Sequence, residues 1–150
     1  MELKVIYRIG IKGTGGNTID DVEVTLEGIS GRDKASMRQR LNMPQAILEP
    51  MFRYSESQKT TIHPSVEPKQ FVNFIEWYPD KREIKVCYDK NLYSYHQVID
   101  KFKPIGKFYC VSLTIEGRNI LASTFQFWLE ISDSELSILD KEEYEHKCIL

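Results

Sequence analysis

The sequence lacks the features of a membrane-spanning or secreted chain. No stretch of its 150 residues approaches the run of about 20 apolar residues that a transmembrane helix needs. Residues 1–5, M-E-L-K-V, lack the basic and apolar regions that open a signal peptide. A formal net charge of −2 also argues against nucleic-acid binding by bulk electrostatics. We therefore expect a soluble domain with no membrane span in this chain.

Cysteine and histidine are too few and too scattered to indicate a metal or redox site. Cys87, Cys110 and Cys148 form no C-x-x-C pair, and the three histidines form no cluster with close acidic residues. No G-x-S-x-G motif marks a nucleophilic serine, and the glycine-rich stretch 10–17 lacks the pattern of a phosphate-binding loop. The sequence thus predicts no catalytic residue, no metal and no cofactor. The odd cysteine count favours a reducing, cytoplasmic setting.

What the sequence does contain is alternation of apolar and polar residues, the pattern of half-buried β-strands. The regular segments are 3–11, 22–26, 71–78, 84–88, 109–115 and 125–131, and irregular strands near 37–41 and 47–54 bring the total to seven or eight. The turn at 13–17 predicts that the first two strands are antiparallel neighbours, and the turn at 117–119 predicts that the last two form a hairpin. Alternation in place of continuous apolar runs argues against a parallel α/β sheet.

The same alternation predicts which side chains form the core. Trp77 and Trp128 each have apolar neighbours in a strand, so we assign both to the core rather than to a site. The other residues expected to be mostly buried are Val5, Tyr7, Ile9, Val22, Val24, Phe71, Ile84, Tyr109, Val111, Leu113, Phe125, Phe127 and Leu129.

The C-terminal segment differs in composition from the rest of the chain. Residues 130–150 contain seven acidic residues and two lysines. Ser132-x-x-Glu135 fits a helix capping box, and Leu136 and Leu139 would share one face of a helix. We therefore divide the chain into a β-sandwich domain at 1–131 and a short acidic helix or tail at 132–150.

Three motifs resemble bacterial immunoglobulin-like β-sandwich domains of the cell-adhesion-related (CARDB-like) kind. Residues 9–24 contain I-x-I-x-G-T-G-x-x-T-I-x-D-V-x-V, which is similar to the opening of these domains. Residues 63–72, H-P-x-x-x-P-x-x-F-V, resemble their turn into the fifth strand. Residues 106–115, G-x-x-Y-x-V-x-L-x-I, resemble their G-x-Y-x-V-x-V strand with one additional residue. That extra residue leaves two registers open, with either Tyr109 or its neighbours Phe108 and Cys110 facing inward.

The resemblance implies an all-β, antiparallel immunoglobulin-like β-sandwich, a fold that serves mostly as a spacer or interaction module. The inter-sheet bridge of antibody domains is not expected, because the second strand offers no cysteine to pair with Cys110. We therefore predict no intrachain disulfide. Because a strand begins almost at residue 1, we also predict that the chain is a domain excised from a larger, bacterial protein, which is compatible with a membrane-anchored parent.

The predicted function is that of a non-catalytic interaction or sensor module with a protein partner. Its candidate binding surface is the loop 89–103, where aromatic and basic residues interleave. The candidate binding residues are Tyr93, Tyr95, His96, Lys101 and Lys103.

Three alternatives stay open at this point. The aromatic residues of the loop would instead cover one end of the sandwich. A small-ligand-binding β-module would use the same loop to hold a nucleotide or another small anion. A small hydrolase would require carboxylates or histidine to converge in a cleft, which no motif in the sequence indicates.

Overall fold

The chain is all-β with one short helix. The computed structural model describes residues 2–13, 18–33, 36–40, 45–51, 60–62, 70–92, 99–118 and 120–149. The elements, in chain order, are β1 (Val5–Ile11), β2 (Ile19–Asp33), β3 (Ser36–Arg40), β4 (Ala46–Ile47), β5 (Thr60–Ile62), β6 (Gln70–Tyr78), β7 (Glu83–Val86), β8 (Lys101–Phe102), β9 (Phe108–Gly117), β10 (Ile120–Ser132), β11 (Glu135–Leu139) and α1 (Lys141–Ile149).

The strands form two antiparallel sheets that contribute to one hydrophobic core. The smaller sheet has the strand order β1-β6-β7-β8, and the larger has β11-β10-β9-β2-β3, with β4 and β5 also paired to β2. Phe74 and Trp77 from the smaller sheet belong to the same buried cluster as Leu26, Val111 and Leu129 from the larger. The predicted all-β antiparallel architecture is confirmed.

The pairing of the first two strands differs from the prediction. β1 pairs with β6, with Val5 opposite Trp77, whereas β2 pairs with β9 in the other sheet. The prediction of antiparallel neighbours was wrong because a short connection can carry the chain between sheets as well as around a hairpin. The hairpin between β9 and β10 is confirmed, with Gly117 opposite Ile120.

The residues after β10 form a strand where the sequence suggested a helix. Asp133 has a φ of 43°, which an aspartate tolerates, and this turn leads the chain back so that Ser132 lies opposite Glu135. β11 thereby pairs with the second half of β10, where the backbone ladder satisfies its polar groups. The expected helix at Leu136 and Leu139 was therefore wrong, although both side chains are buried.

The helix begins at Lys141, and its N-terminus has a capping box of its own. The N–H of Glu143 donates to Asp140 Oδ1 at 2.8 Å, and the N–H of Asp140 donates to Glu143 Oε1 at 3.3 Å. This reciprocal pair satisfies two backbone donors at the start of α1. The D-K-E-E sequence at 140–143 was thus the correct capping signal, eight residues after the one chosen.

Most of the predicted core is buried or half-buried. The exceptions are Val5, Phe71 and Phe125, which are exposed. Val5 lies near the start of an edge strand, and Phe125 lies on a part of β10 that β11 does not reach. At the start of β6 the buried residues are Val72 and Phe74, so Phe71 lies on the opposite face from them. Further along the strand the buried positions change to Ile75 and Trp77.

Candidate binding site

The register of β9 decides which side chains reach the outer face of the larger sheet. Tyr109, Val111 and Leu113 are buried in the core. Because side chains alternate along a strand, Phe108, Cys110 and Ser112 lie on the outer face and are only half-buried. Of the two registers left open by the sequence, the one with Tyr109 inward is therefore correct.

Tyr109 holds this register through both its ring and its hydroxyl. The hydroxyl oxygen accepts the N–H of Ile105 at 2.8 Å and the N–H of Gly106 at 2.9 Å. The ring lies against Gly31, where an added Cβ would approach Tyr109 Cε1 to 2.7 Å. A side chain at position 31 would displace the ring, so glycine there allows the close approach that orients the start of β9.

Outward side chains from β2, β9 and β10 form the floor of a groove of about 290 Å³. Cys110 lies between Ser30 and Trp128 in one cross-strand row. Ser112 and Gln126 form the next row, and the amide Nε2 of Gln126 donates to Ser112 Oγ at 3.3 Å. The floor thus combines one aromatic ring with hydroxyl, amide and thiol groups.

Helix α1 closes one side of this groove with a single aromatic side chain. Tyr144 stacks on Trp128, with ring centroids 4.7 Å apart and an angle of 7° between the planes. It also meets Phe108 edge-on, at 5.5 Å and 80°. Three aromatic rings therefore gather on the outer face of the sheet, where strands commonly carry polar residues. We call Ser30, Phe108, Cys110, Ser112, Gln126, Trp128 and Tyr144 the aromatic groove.

The side chains that form the aromatic groove are uncharged, and two lysines lie at its border. None of the described residues that line it is charged. At its border, Lys147 Nζ lies 2.9 Å from the largely buried Glu130 Oε1, which ties α1 to β10. Lys107 Nζ lies 5.4 Å from the Phe108 ring centroid. The groove is therefore suited to an uncharged group that can stack on aromatic rings and form hydrogen bonds.

Neither Cys87 nor Cys110 forms a disulfide, and only Cys110 lies in the aromatic groove. Cys87 is buried, and burial raises the pKa of its thiol to about 12, with smaller contributions from the negative charges of Glu76 and Glu49. Such a thiol is protonated and inert at neutral pH. Cys110 is half-buried on the groove floor.

Of the predicted binding residues, the structure describes Lys101 and Lys103, and neither lines this groove. Tyr93, Tyr95 and His96 lie outside the described residues. Lys101 is exposed and lies opposite Lys85 on the smaller sheet, and Lys103 is exposed just beyond it. From the same loop region, Phe102 packs against the core, with its ring centroid 5.9 Å from that of Tyr109.

Sequence reasoning missed Trp128 and Tyr144 as site residues. Trp77 is buried as predicted, but Trp128 is half-exposed on the outer face, so its assignment to the core was wrong. The alternation of the apolar residues Phe127 and Leu129 already placed Trp128 on the opposite face, which was the available signal. Tyr144 offered no such signal, because only the docking of α1 brings it to the sheet.

The described part of the chain carries neither a metal-binding cluster nor a membrane-spanning helix. No three or more His, Cys, Asp or Glu side chains gather there as a metal site would require. No helix among the described residues has the length and apolar character needed to cross a bilayer. Comparison with protein-family models, with curated proteins and with solved structures found no match to this chain.

Proposed function

We propose that this chain is a non-catalytic binding module that recognises a protein partner through the aromatic groove. The observation that carries the proposal is the three-ring cluster of Phe108, Trp128 and Tyr144 on the outer face of the larger sheet. Aromatic side chains of this kind dominate the binding energy of protein interfaces, because they bury much area with few rotatable bonds.

The chemistry of the groove favours an aromatic side chain of the partner as its occupant. A planar ring can stack against Trp128 or displace Tyr144 from it, and the hydroxyls of Ser30 and Ser112 can bind a polar tip. A charged side chain would lose hydration against the uncharged residues that line the groove. The partner segment is therefore uncharged at the position that enters the groove.

The test is selection of peptides from a phage-displayed random library on the whole chain. We expect the recovered peptides to be enriched in tryptophan, tyrosine or phenylalanine. Ser112→Trp fills the groove floor and should weaken their binding at least about tenfold, because the ring pocket is no longer available. Asp80→Trp is the matched control, since it adds the same side chain in an exposed turn of the smaller sheet.

Equal binding of the peptides to wild type and to Ser112→Trp would contradict the proposal, as would a selection that recovers no specific peptide. Thermal unfolding of each variant has to be measured in parallel. A Ser112→Trp variant that retains the wild-type melting temperature assigns the lost binding to the groove itself.

A small uncharged ligand is the second candidate, and the size of the groove favours it. Its volume of about 290 Å³ is close to the lower end of ligand pockets, roughly 300 Å³. Titration with benzamide, a neutral planar amide, should quench tryptophan fluorescence in wild type but not in Trp128→Ala. An anion held by Lys101 and Lys103, and a hydrolase activity, stay predictions that the groove chemistry does not support.

We further propose that the two sheets form an immunoglobulin-like sandwich of the CARDB-like kind. The antiparallel pairing of β1 with β6 resembles that of strands B and E of that fold, and the order β2-β9-β10 resembles C, F and G, whereas β7 follows β6 in the chain although strand D precedes strand E. The Tyr109 hydroxyl, bonded to backbone N–H groups three and four residues earlier at the start of β9, resembles the tyrosine corner of strand F. These features support the proposal independently of the sequence motifs.

The setting we propose is the bacterial cytoplasm. The reduced state of Cys87 and Cys110, neither of which forms a disulfide, supports it, because disulfides persist in oxidising compartments and are rare in reducing ones. Mass measurement before and after reduction tests this proposal on protein purified from cells without reductant. A gain of two hydrogens on reduction would contradict it.

A further inference from the structure

The first half of β10, residues 120–127, forms a sheet edge that no strand covers within the part of the chain that the structure describes. β9 pairs with one side of this segment, whereas on the other side β11 pairs only with residues 128–132. At about 3.4 Å per residue the eight positions extend roughly 27 Å. An edge of this kind presents backbone N–H and C=O groups that can pair with a further strand.

Large apolar side chains project from this edge into solvent. Leu121 is 90% exposed, Phe125 is 50% exposed and Ile120 is 39% exposed. The sequence around them, N-I-L-A-S-T-F-Q-F-W-L at 119–129, contains no charged residue and no proline. We call residues 120–127 the β10 edge. Because it contains neither a charged residue nor a proline, its composition favours pairing with another strand.

The terminal strands of both sheets differ from the β10 edge in one respect. β1 carries Arg8, β8 carries Lys101 and β11 carries Glu135. Charged residues on an edge strand are a common protection against unwanted strand addition, because pairing would desolvate them. None of the eight residues of the β10 edge provides that protection.

We propose that the β10 edge pairs antiparallel with the same segment of a second copy of this chain. In such a two-fold contact, residues at the axis lie opposite themselves, so any charge there would meet its own like charge. The midpoint of the edge instead carries Ser123 and Thr124, whose hydroxyls are small, neutral and able to hydrogen-bond to each other. The larger sheets of the two copies then become one continuous sheet.

A second copy fits this edge better than a charged partner strand does. Pairing about the midpoint brings the Leu121 end of one copy towards the Phe125 end of the other, so apolar side chains cover one another. A strand with charged residues would place them beside these side chains without an opposite charge. The contact is closed, because each copy uses its single β10 edge, and association stops at the dimer.

The dimer contact and the aromatic groove share only Gln126 among the residues that define them. Trp128 lies beyond the β10 edge, in the part of β10 that β11 covers. Trp128→Ala is therefore expected to leave dimerisation unchanged, and disruption of the β10 edge is expected to leave peptide binding in the groove unchanged. The measurements therefore distinguish failure of the dimer proposal from failure of the proposal that the aromatic groove binds a partner.

The test is sedimentation equilibrium of the full chain and of two matched variants. Wild type should approach twice the monomer mass of 17.6 kDa as concentration rises. Leu121→Lys should raise the dimer dissociation constant at least about tenfold, because each dimer gains two buried lysines. Leu121 is almost fully exposed, so its replacement removes little packing within one copy. Ile6→Lys, on the β1 edge, is the control and should remain dimeric.

Amide hydrogen exchange gives an independent measurement on wild type. Protection of residues 120–127 should increase with protein concentration, while that of β1 stays constant. A wild-type chain that remains monomeric, one that forms larger assemblies, or a Leu121→Lys variant that dimerises as wild type does would each overturn the proposal. If the wild-type chain is monomeric, the β10 edge is instead available to a strand of a different protein. If Leu121→Lys is unfolded by circular dichroism, Ser123→Lys replaces it under the same expectations.

Discussion

Cys87 is buried and Cys110 is half-buried, and this difference in burial predicts different reactivities of the two thiols. Burial raises the pKa of Cys87 to about 12, so its reactive thiolate is scarce at neutral pH. Cys110 lies on the floor of the aromatic groove and is half-buried. In a Cys148→Ser background, iodoacetamide should alkylate Cys110 at least about tenfold faster than Cys87 at pH 7. Peptide mass spectrometry over time measures both rates, and equal rates would show that the burial of Cys87 is not maintained in solution.

Glu76 on the smaller sheet predicts a loss of stability in acid. Partial burial acts to raise the pKa of Glu76, but the hydrogen bond from Tyr78 and the charges of Lys4 and Lys85 outweigh it, and the pKa is lowered from its ordinary value of 4.5. A carboxyl with a lowered folded-state pKa stabilises the fold above its unfolded pKa. That contribution is lost as the pH falls through the folded value.

Glu76→Gln should therefore be less stable than wild type at pH 7, and the difference should shrink as the pH falls from about 5 towards 2. Urea denaturation of both proteins across this range measures it. Glu142→Gln on α1 serves as the control, because Glu142 is exposed. A difference between wild type and Glu76→Gln that is the same at both ends of the range would argue against the role of the ionised carboxylate.

Among the elements, α1 depends on the sheet for its stability. Its nine residues fall short of the roughly 12 residues at which isolated helices become even marginally stable in water. Its described contacts with the sheet are centred on Tyr144, stacked on Trp128, and on the ion pair of Lys147 with Glu130. The helix is therefore expected to form only while it is docked.

Tyr144→Ala should release α1 without unfolding the sheets. We expect amide exchange at 141–149 to accelerate at least about tenfold, because the helix loses its stacking contact. The melting temperature of the whole chain should change little. Glu142→Ala, an exposed change on the same helix, is the comparison and should preserve protection. Unchanged exchange in Tyr144→Ala would mean that other contacts hold the helix.

At the scale of the whole molecule, stability depends on the core that the two sheets share. Leu113 is buried on the inner face of β9, opposite Leu26 and Phe125 on its two neighbours. Leu113→Ala should cost about 2–5 kcal/mol of unfolding free energy, because the removed methyl groups leave a cavity. Urea denaturation measures this loss. Phe125→Ala, at a half-exposed site, should cost less unfolding free energy. A larger loss for Phe125→Ala than for Leu113→Ala would contradict the position of the core.

The sequence by itself determined the strands and most of their inward faces. Alternation is a local property, so β1, β6 and β9 were predicted close to their actual bounds, and Val24, Val111 and Leu129 were assigned correctly, whereas β10 begins five residues before its predicted start. The hairpin of β9 and β10 was also predicted correctly from its short turn, although the same reasoning failed for β1 and β2.

The tertiary structure alone decided which strands are neighbours and what gathers on their outer faces. β1 pairs with β6 and β2 with β9 across long separations, which no local pattern encodes. The Ser132–Glu135 pattern fits a helix cap and a hairpin turn equally well, and pairing with β10 selected the strand. The aromatic groove combines three strands with Tyr144 of α1, so it exists only once these distant segments are packed together.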